Sequence, residues 1–198
     1  MPTQPDEAVL AFEVVAVADG AADAFNAVGR RATALAAVLD EARIDPARRS
    51  TTRIALHEQQ EFDAAGQPRR THRASTTVSV RLEDPEAIPP LLQAAIERAD
   101  AYVHGPSWRL SDPGDAAAEA CRRAVADATG RAEAYAAALG SRLGPVETVE
   151  EVGAGETVPA GLHFAAARAV AAAEPPPLYP GELQVSALVD VVFALEPA

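Results

Sequence analysis

The chain contains no lysine, because all 17 of its basic residues are arginine. Schiff-base catalysis, the Walker A phosphate loop and the ion-pair lysine of protein kinases each require a lysine amine. The sequence therefore excludes these three classes of enzyme. The chain also has a single cysteine, Cys121, which cannot form an internal disulfide, so cysteine usage gives no sign of an oxidising compartment.

Positive charge is scarce as well, since 29 acidic residues outnumber the 17 basic ones and give a net charge of −12. This balance opposes non-specific binding to nucleic acid or to an anionic membrane. The first apolar stretch is interrupted by Glu13 and Asp19, which excludes a membrane span of about 20 residues there. No basic signal-peptide region precedes it. We expect a cytoplasmic protein without membrane insertion; a periplasmic or secreted location is the expectation if a leader has been removed.

Length and composition bound the fold. A chain of 198 residues can bury roughly 70% of the surface that it exposes when unfolded, so it needs neither metal nor disulfide to hold a core. We predict one domain over residues 1–198. Residues 153–180 are rich in alanine, glycine and proline, and we predict a long excursion there with one short helix around residues 163–173.

Apolar periodicity predicts an α+β fold with the order β-α-β-β-α-β-α-β-β. Helices are expected after Asp19, after Asp84 and after Asp112, each of which is a suitable N-cap. Hairpin-linked strands favour an antiparallel or mixed sheet with the helices packed on one face. The predicted strands comprise residues 8–18, 50–62, 70–82, 102–110, 146–152 and 182–195.

Two local predictions follow from the same periodicity. Strands 50–62 and 70–82 should pair antiparallel as a long hairpin. Apolar residues cease after Leu56, so we expect the hairpin tip to protrude beyond the helix layer. On the third helix, the apolar stripe that contains Cys121, Val125 and Tyr135 should face the sheet, which would make Cys121 a buried and unreactive thiol.

Four segments carry a resemblance to a known family. The first is Thr-His-Arg-Ala-Ser with the alternating strand that follows it, at residues 71–80, and the second is Leu-Ser-Asp at 110–112. The third is the end of a helix at 131–140, followed by Leu-Gly at 143–144. The fourth is the proline run at 175–177 together with the closing strand from residue 180. Together they resemble the SIMPL-domain family, which includes bacterial periplasmic immunogenic proteins and oxidative-stress-defence proteins. The resemblance extends over about residues 5–195, and His72 stands where a tyrosine is common.

The resemblance implies a function by assembly. Some family members form large ring-like or cage-like homo-oligomers and others are linked to oxidative stress, while the family has no established catalytic residues. It therefore assigns no chemical role to any residue of this chain.

The residues themselves offer weak candidates for chemistry. His57 and His72 lie on neighbouring predicted strands, but a metal site needs three or four ligands, so a polar strand surface is the preferred interpretation. The segment from His104 to Trp108 lacks the second glycine of a nucleophile elbow and predicts a turn with a buried tryptophan.

Two further patterns are also interpreted as structural. Residues 153–158 lack the third glycine of a dinucleotide loop. The acidic residues Glu147, Glu150 and Glu151 are typical of a solvated strand face. We therefore predict no catalytic, cofactor-binding or metal-binding residue, and no cofactor.

The sequence thus favours a non-enzymatic protein that forms a homo-oligomer larger than a dimer, as a ring, cage or stress-associated scaffold. The alternatives are an adaptor that binds one particular protein, and a small-molecule binder or enzyme near His104 and Trp108. The predicted oligomer-contact surface consists of His57, Gln59, Glu61, Arg69, Arg70, His72, Arg73, Leu188 and Val192.

Overall fold

The computed structural model describes residues 2–62, 66–157 and 177–197, and the side chains of these residues except 153–157. The described residues form three α-helices and two antiparallel sheets, which confirms the predicted α+β class. The strands form two sheets rather than the one expected, and the order of the elements agrees apart from an additional first strand. The short helix predicted around residues 163–173 lies outside the described residues.

The strands are β1 Pro2–Thr3, β2 Glu7–Ala18, β3 Arg49–Phe62, β4 Pro68–Leu82, β5 Tyr102–Arg109, β6 Ser141–Thr157 and β7 Leu183–Pro197. The helices are α1 Ala21–Glu41, α2 Ile88–Ala99 and α3 Gly114–Ala138. Strand β1 was not predicted, because two residues are too short for periodicity to detect.

Contacts group the chain into two compact units. Unit I is built on residues 7–108, and unit II combines the chain start, up to Asp6, with the segment from Arg109 through β6 and with β7. The description of residues 1–198 as a single domain stays a prediction, because two compact units can belong to one family domain.

Unit I is a four-stranded sheet in the order β3-β4-β2-β5, with α1 packed against β2 and β4 and against α2. Its sequence order is that of a split βαβ unit. Alternate residues of β2, including Leu10, Phe12 and Val14, are fully buried in the core. Strands β2 and β4 pair antiparallel from Ala8 opposite Leu82, so the two central strands present one continuous apolar face to the helices.

The predicted hairpin is confirmed, since β3 and β4 pair antiparallel as far as Phe62 opposite Pro68. Pairing of β4 with β2 ends at His72, so the hairpin extends past the sheet, with residues 60–62 and 66–70 exposed at its tip. Ile54 and Leu56, which share the helix-side face of β3, are 66% and 46% exposed. The reason is that β3 is an edge strand, whereas α1 packs mainly over β2 and β4.

Unit II is a three-stranded sheet in the order β1-β7-β6, with α3 packed on β7 and β6. The predicted stripe of α3 is correct only in part: Cys121, Ala128 and Ala132 are half-buried, but Tyr135 is 71% exposed, and the buried residues are Ala120 and Ala136. Small alanine side chains allow the helix backbone to approach the strands closely. The largest apolar residues are therefore not those that contact the sheet.

Strand β6 is longer than predicted, with 17 residues. Residues 153–157, expected to begin the excursion, instead continue the strand and pair with β7 up to Thr157 opposite Gln184. Glycine and alanine have low strand propensity, and pairing with a neighbouring strand overrides such a preference. Residues 158–176 of the predicted excursion lie outside the described residues.

Candidate interaction surface

Asp19, at the end of β2, holds the outer part of the hairpin. Its carboxylate accepts a hydrogen bond from the guanidinium of Arg69, and its carbonyl oxygen lies 2.9 Å from Nδ1 of His72. Asp19 is therefore not the predicted N-cap of α1; Gly20 occupies that position. The Asp19 side chain, which was expected to cap α1, binds Arg69 of the hairpin instead.

A shallow depression of about 430 Å³ lies beside this contact. The hydroxyl of Thr71 is buried in its wall and has no hydrogen-bond partner among the described atoms. The lining is mainly polar and consists of Val17, Ala18, Asp19, Asp23, Glu61, Arg69 and Thr71. The depression is an open, acidic hollow rather than a closed apolar cavity.

Intramolecular pairs partly neutralise the basic residues at the tip. Arg69 is paired with Asp19, and the Arg70 guanidinium lies 3.7 Å from the Glu58 carboxylate. The amide of Gln59 donates to the carboxylate of Glu61 at 2.8 Å. The hairpin tip is thus less basic than the sequence indicates.

His57 and His72 do not converge. His57 lies opposite Arg73, and Glu58 lies opposite His72, so the two histidines occupy opposite faces of the hairpin. Within the described residues, no group of three or more His, Cys, Asp and Glu side chains is arranged to hold a metal ion.

One face of β3 combines a free cation with predicted contact residues. Arg53, His57 and Glu61 share the face opposite the helices, because every second side chain of a strand lies on the same face and these residues are four positions apart. The guanidinium of Arg53 makes no ion pair with any carboxylate in the described part of the chain. Three of the nine predicted contact residues, His57, Gln59 and Glu61, lie on this face of β3.

The segment near Trp108 belongs to β5, at the edge of the unit I sheet next to β2. Trp108 packs against the hydrophobic core, and Nε2 of His104 lies 3.8 Å from the carboxylate of Glu13 on β2. Gly105 has a φ of +109°, and a Cβ there would lie 2.8 Å from the carbonyl oxygen of Val9. The glycine thus permits a close approach between β5 and β2. Strand β5 continues through the Gly-Pro pair, where a turn was expected.

The outer face of β7 carries the two remaining predicted contact residues. Leu188 and Val192 are 60% and 50% exposed. They alternate with the buried Leu183 and Val185, whose face α3 covers. Between them, Asp190 lies opposite Glu150 across the strand pair, an arrangement of like charges that is unfavourable in an isolated sheet. Glu147, Glu150 and Glu151 are exposed, as predicted.

The segment Leu-Ser-Asp at 110–112 has a structural role that sequence analysis did not find. Both the backbone N–H and the hydroxyl of Ser111 donate to the Asp6 carboxylate, each at 2.7 Å. Asp112 accepts a hydrogen bond from the N–H of Gly114 at 2.8 Å at the start of α3. The Asp-Pro-Gly turn was recognisable in the sequence, but a contact over 105 positions was not.

A family model described as SIMPL, protein of unknown function (DUF541), matches residues 1–193. The chain belongs to the SIMPL family. The match extends over both units and confirms the resemblance carried by the four segments. No curated protein matches this SIMPL chain. None of its described helices has the length and apolar character required to cross a membrane.

Proposed function

We propose that this SIMPL protein acts through homo-oligomeric assembly into a ring, cage or scaffold rather than through catalysis. The observation that carries the proposal is the outer face of β7, where Leu188 and Val192 expose apolar surface on the side of the sheet that α3 leaves uncovered. Exposed apolar side chains on an uncovered sheet face favour a contact with another chain, and here the two side chains flank the acidic pair of Asp190 and Glu150.

A second exposed surface lies in unit I. There β3 forms the edge of the sheet and carries the exposed Ile54 and Leu56. One self-complementary surface closes a dimer, whereas two different surfaces on each subunit can link dimers into a larger closed assembly. The presence of both supports an oligomer larger than a dimer.

Polar residues that could serve chemistry are engaged in structural contacts. Ser111 holds Asp6, and His72 lies against the Asp19 carbonyl. These engagements support a structural role for the polar side chains. A stress-associated role and a cytoplasmic location belong to the same proposal; the first rests on the family resemblance and the second on the sequence.

Light scattering coupled to size exclusion tests the proposal at micromolar concentration. We expect a mass at least three times the 20.6 kDa of one chain. The double variant Leu188→Ser/Val192→Ser should reduce that mass because it removes the apolar contact. Val125→Ser, which alters an exposed apolar residue on α3, is the control and should leave the mass unchanged.

A monomer that persists as concentration and salt are varied would refute assembly. It would favour the adaptor function, in which a different protein covers the outer face of β7.

A further inference from the structure

Strand β3 is an unusually open sheet edge. It has 14 residues, contains no proline, and is hydrogen-bonded to β4 on one side and to no strand in the described chain on the other. Natural proteins usually guard such edges with short strands, bulges, proline, charged side chains or covering elements. Of these, β3 has charged side chains, including Arg53, Glu58 and Glu61, and one irregularity near its start. The pairing of β3 with β4 is irregular between Thr51 and Arg53, and it continues without a shift from Arg53 to Phe62.

We propose that β3 pairs antiparallel with β3 of a second copy, with His57 on the twofold axis. This inference specifies one interface of the proposed assembly and rests on that proposal. The pairing would join two four-stranded sheets into one of eight strands, with the helices of both copies on the same face. Main-chain hydrogen bonds supply affinity in such edge pairing, and side chains set the register.

Charge complementarity selects this register. With His57 opposite the partner's His57, Arg53 lies opposite the partner's Glu61, and symmetry creates the same pair twice. Both residues are exposed on the face away from the helices, and Arg53 has no ion pair within the described residues. Opposite charges directly across an antiparallel pair stabilise it.

The neighbouring registers do not place Arg53 opposite the partner's Glu61. Pairing centred on Leu56 places Leu56 opposite the partner's Leu56, but it leaves Arg53 opposite the neutral Gln59. Pairing centred on Ala55 places Arg53 opposite the partner's His57, and pairing centred on Gln59 moves Arg53 past the end of the partner's strand at Phe62. Pairing centred on Glu58 places two carboxylates against each other.

The helix-side face of β3 is compatible with the same register. There Leu56 lies diagonal to the partner's Leu56, and Ile54 lies diagonal to the partner's Phe62. Diagonal neighbours are about 7–8 Å apart, within reach of long and aromatic side chains. All three residues are exposed in the single chain, so pairing would cover apolar surface that is otherwise in water.

Single-cysteine variants test the register. In a Cys121→Ala background, His57→Cys should form a disulfide-linked dimer on mild oxidation, because directly opposite residues have Cα atoms about 4.5–5.5 Å apart. Ala55→Cys and Gln59→Cys lie on the same face and are the matched controls. Each is displaced from its own copy by four residues, about 13 Å along the strand, so neither should cross-link alone.

A mixture of the two control variants should cross-link, because Ala55 lies opposite the partner's Gln59. A disulfide with Ala55→Cys or Gln59→Cys alone, but none with His57→Cys, would overturn the register.

Charge reversal provides an independent test. Arg53→Glu and Glu61→Arg should each weaken dimerisation at least tenfold in sedimentation equilibrium, and the double variant should recover most of that loss. Arg30→Glu reverses an exposed charge on α1 and should have no effect. Failure of the double variant to recover would contradict the pairing of Arg53 with Glu61.

The outcomes separate this inference from the proposed function. An oligomeric wild-type protein without a His57→Cys cross-link would refute the edge pairing and leave assembly standing. A monomeric wild-type protein whose β3 pairs only with a strand of another protein would refute both. A His57→Cys cross-link in an oligomer whose mass Leu188→Ser/Val192→Ser does not reduce would support the edge pairing and contradict the role assigned to the outer face of β7.

Discussion

Asp6 and Ser111 are joined by two hydrogen bonds, because the hydroxyl and the backbone N–H of Ser111 both donate to the Asp6 carboxylate. The backbone N–H of Asp6 in turn donates to the carbonyl oxygen of Arg109 at 3.2 Å. These contacts fix the beginning of the chain to the turn before α3 within unit II. They also lower the pKa of the Asp6 carboxyl, first through the Ser111 hydroxyl and then through its N–H.

We predict that Ser111→Ala will raise the pKa of Asp6 toward its ordinary value, because it removes the first of these donors. The measurement is an NMR titration of the Asp6 side-chain carboxyl, with the exposed Ser107→Ala as control. A carboxyl whose pKa is lowered by folding stabilises the protein above its unfolded pKa of about 3.9, and this contribution is lost as pH falls through the folded pKa. An unchanged Asp6 titration in Ser111→Ala would contradict the assignment.

Gly105→Ala should destabilise the protein by about 1–3 kcal/mol, because it combines a positive φ with a Cβ placed 2.8 Å from the Val9 carbonyl oxygen. Gly29→Ala is the control in the same unit. It lies inside α1, where a Cβ would meet no described atom within 4 Å, and should stabilise by about 1 kcal/mol. Urea denaturation measures both, and equal effects of the two substitutions would refute the close approach.

Substitutions at two adjacent residues of α3 should affect the free energy of unfolding to different extents. Ala136 is 2% exposed, so Ala136→Leu should overpack the helix–sheet contact and destabilise by roughly 1–3 kcal/mol. Tyr135→Ala should change the free energy of unfolding by less than about 0.5 kcal/mol in the monomeric protein, since the tyrosine is mainly in solvent. If Tyr135→Ala proved the more damaging, the face of α3 described above would be wrong.

Cys121 should react with a thiol reagent in native buffer, more slowly than in denaturant but on a measurable timescale, because it is half-buried rather than enclosed. Cys121→Ser should for the same reason destabilise by less than about 1 kcal/mol, since its hydroxyl can reach water. A thiol that reacts only after unfolding would show that the buried stripe predicted from sequence was right after all.

The sequence predicted the elements better than their environment. Regular alternation in β4 and the spacing of Val28, Leu35 and Leu39 in α1 are local patterns, and the structure buries these three residues. Phe25 belongs to the same pattern but is exposed. Periodicity identifies a face, whereas the extent to which a neighbour covers that face depends on tertiary packing.

The candidate surface was predictable in part for the same reason. Leu188 and Val192 stood out because they are apolar on the second face of a strand, and they are exposed. The attachment of Arg69 to Asp19 spans 50 positions and depends on where β2 ends, so no local pattern reveals it.

Strand β7 follows every other described element in the sequence and is the central strand of its sheet, between β1 and β6. Unit I is built on residues 7–108, so its strands and helices leave the ribosome well before β7 does. At about 5–20 residues per second, unit I has several seconds in which to fold first. Throughout that interval β1 and β6 lack the strand with which both pair. A nascent chain that stops before residue 183 would therefore carry a folded unit I and an unfinished unit II, in which α3 has no completed sheet to cover it.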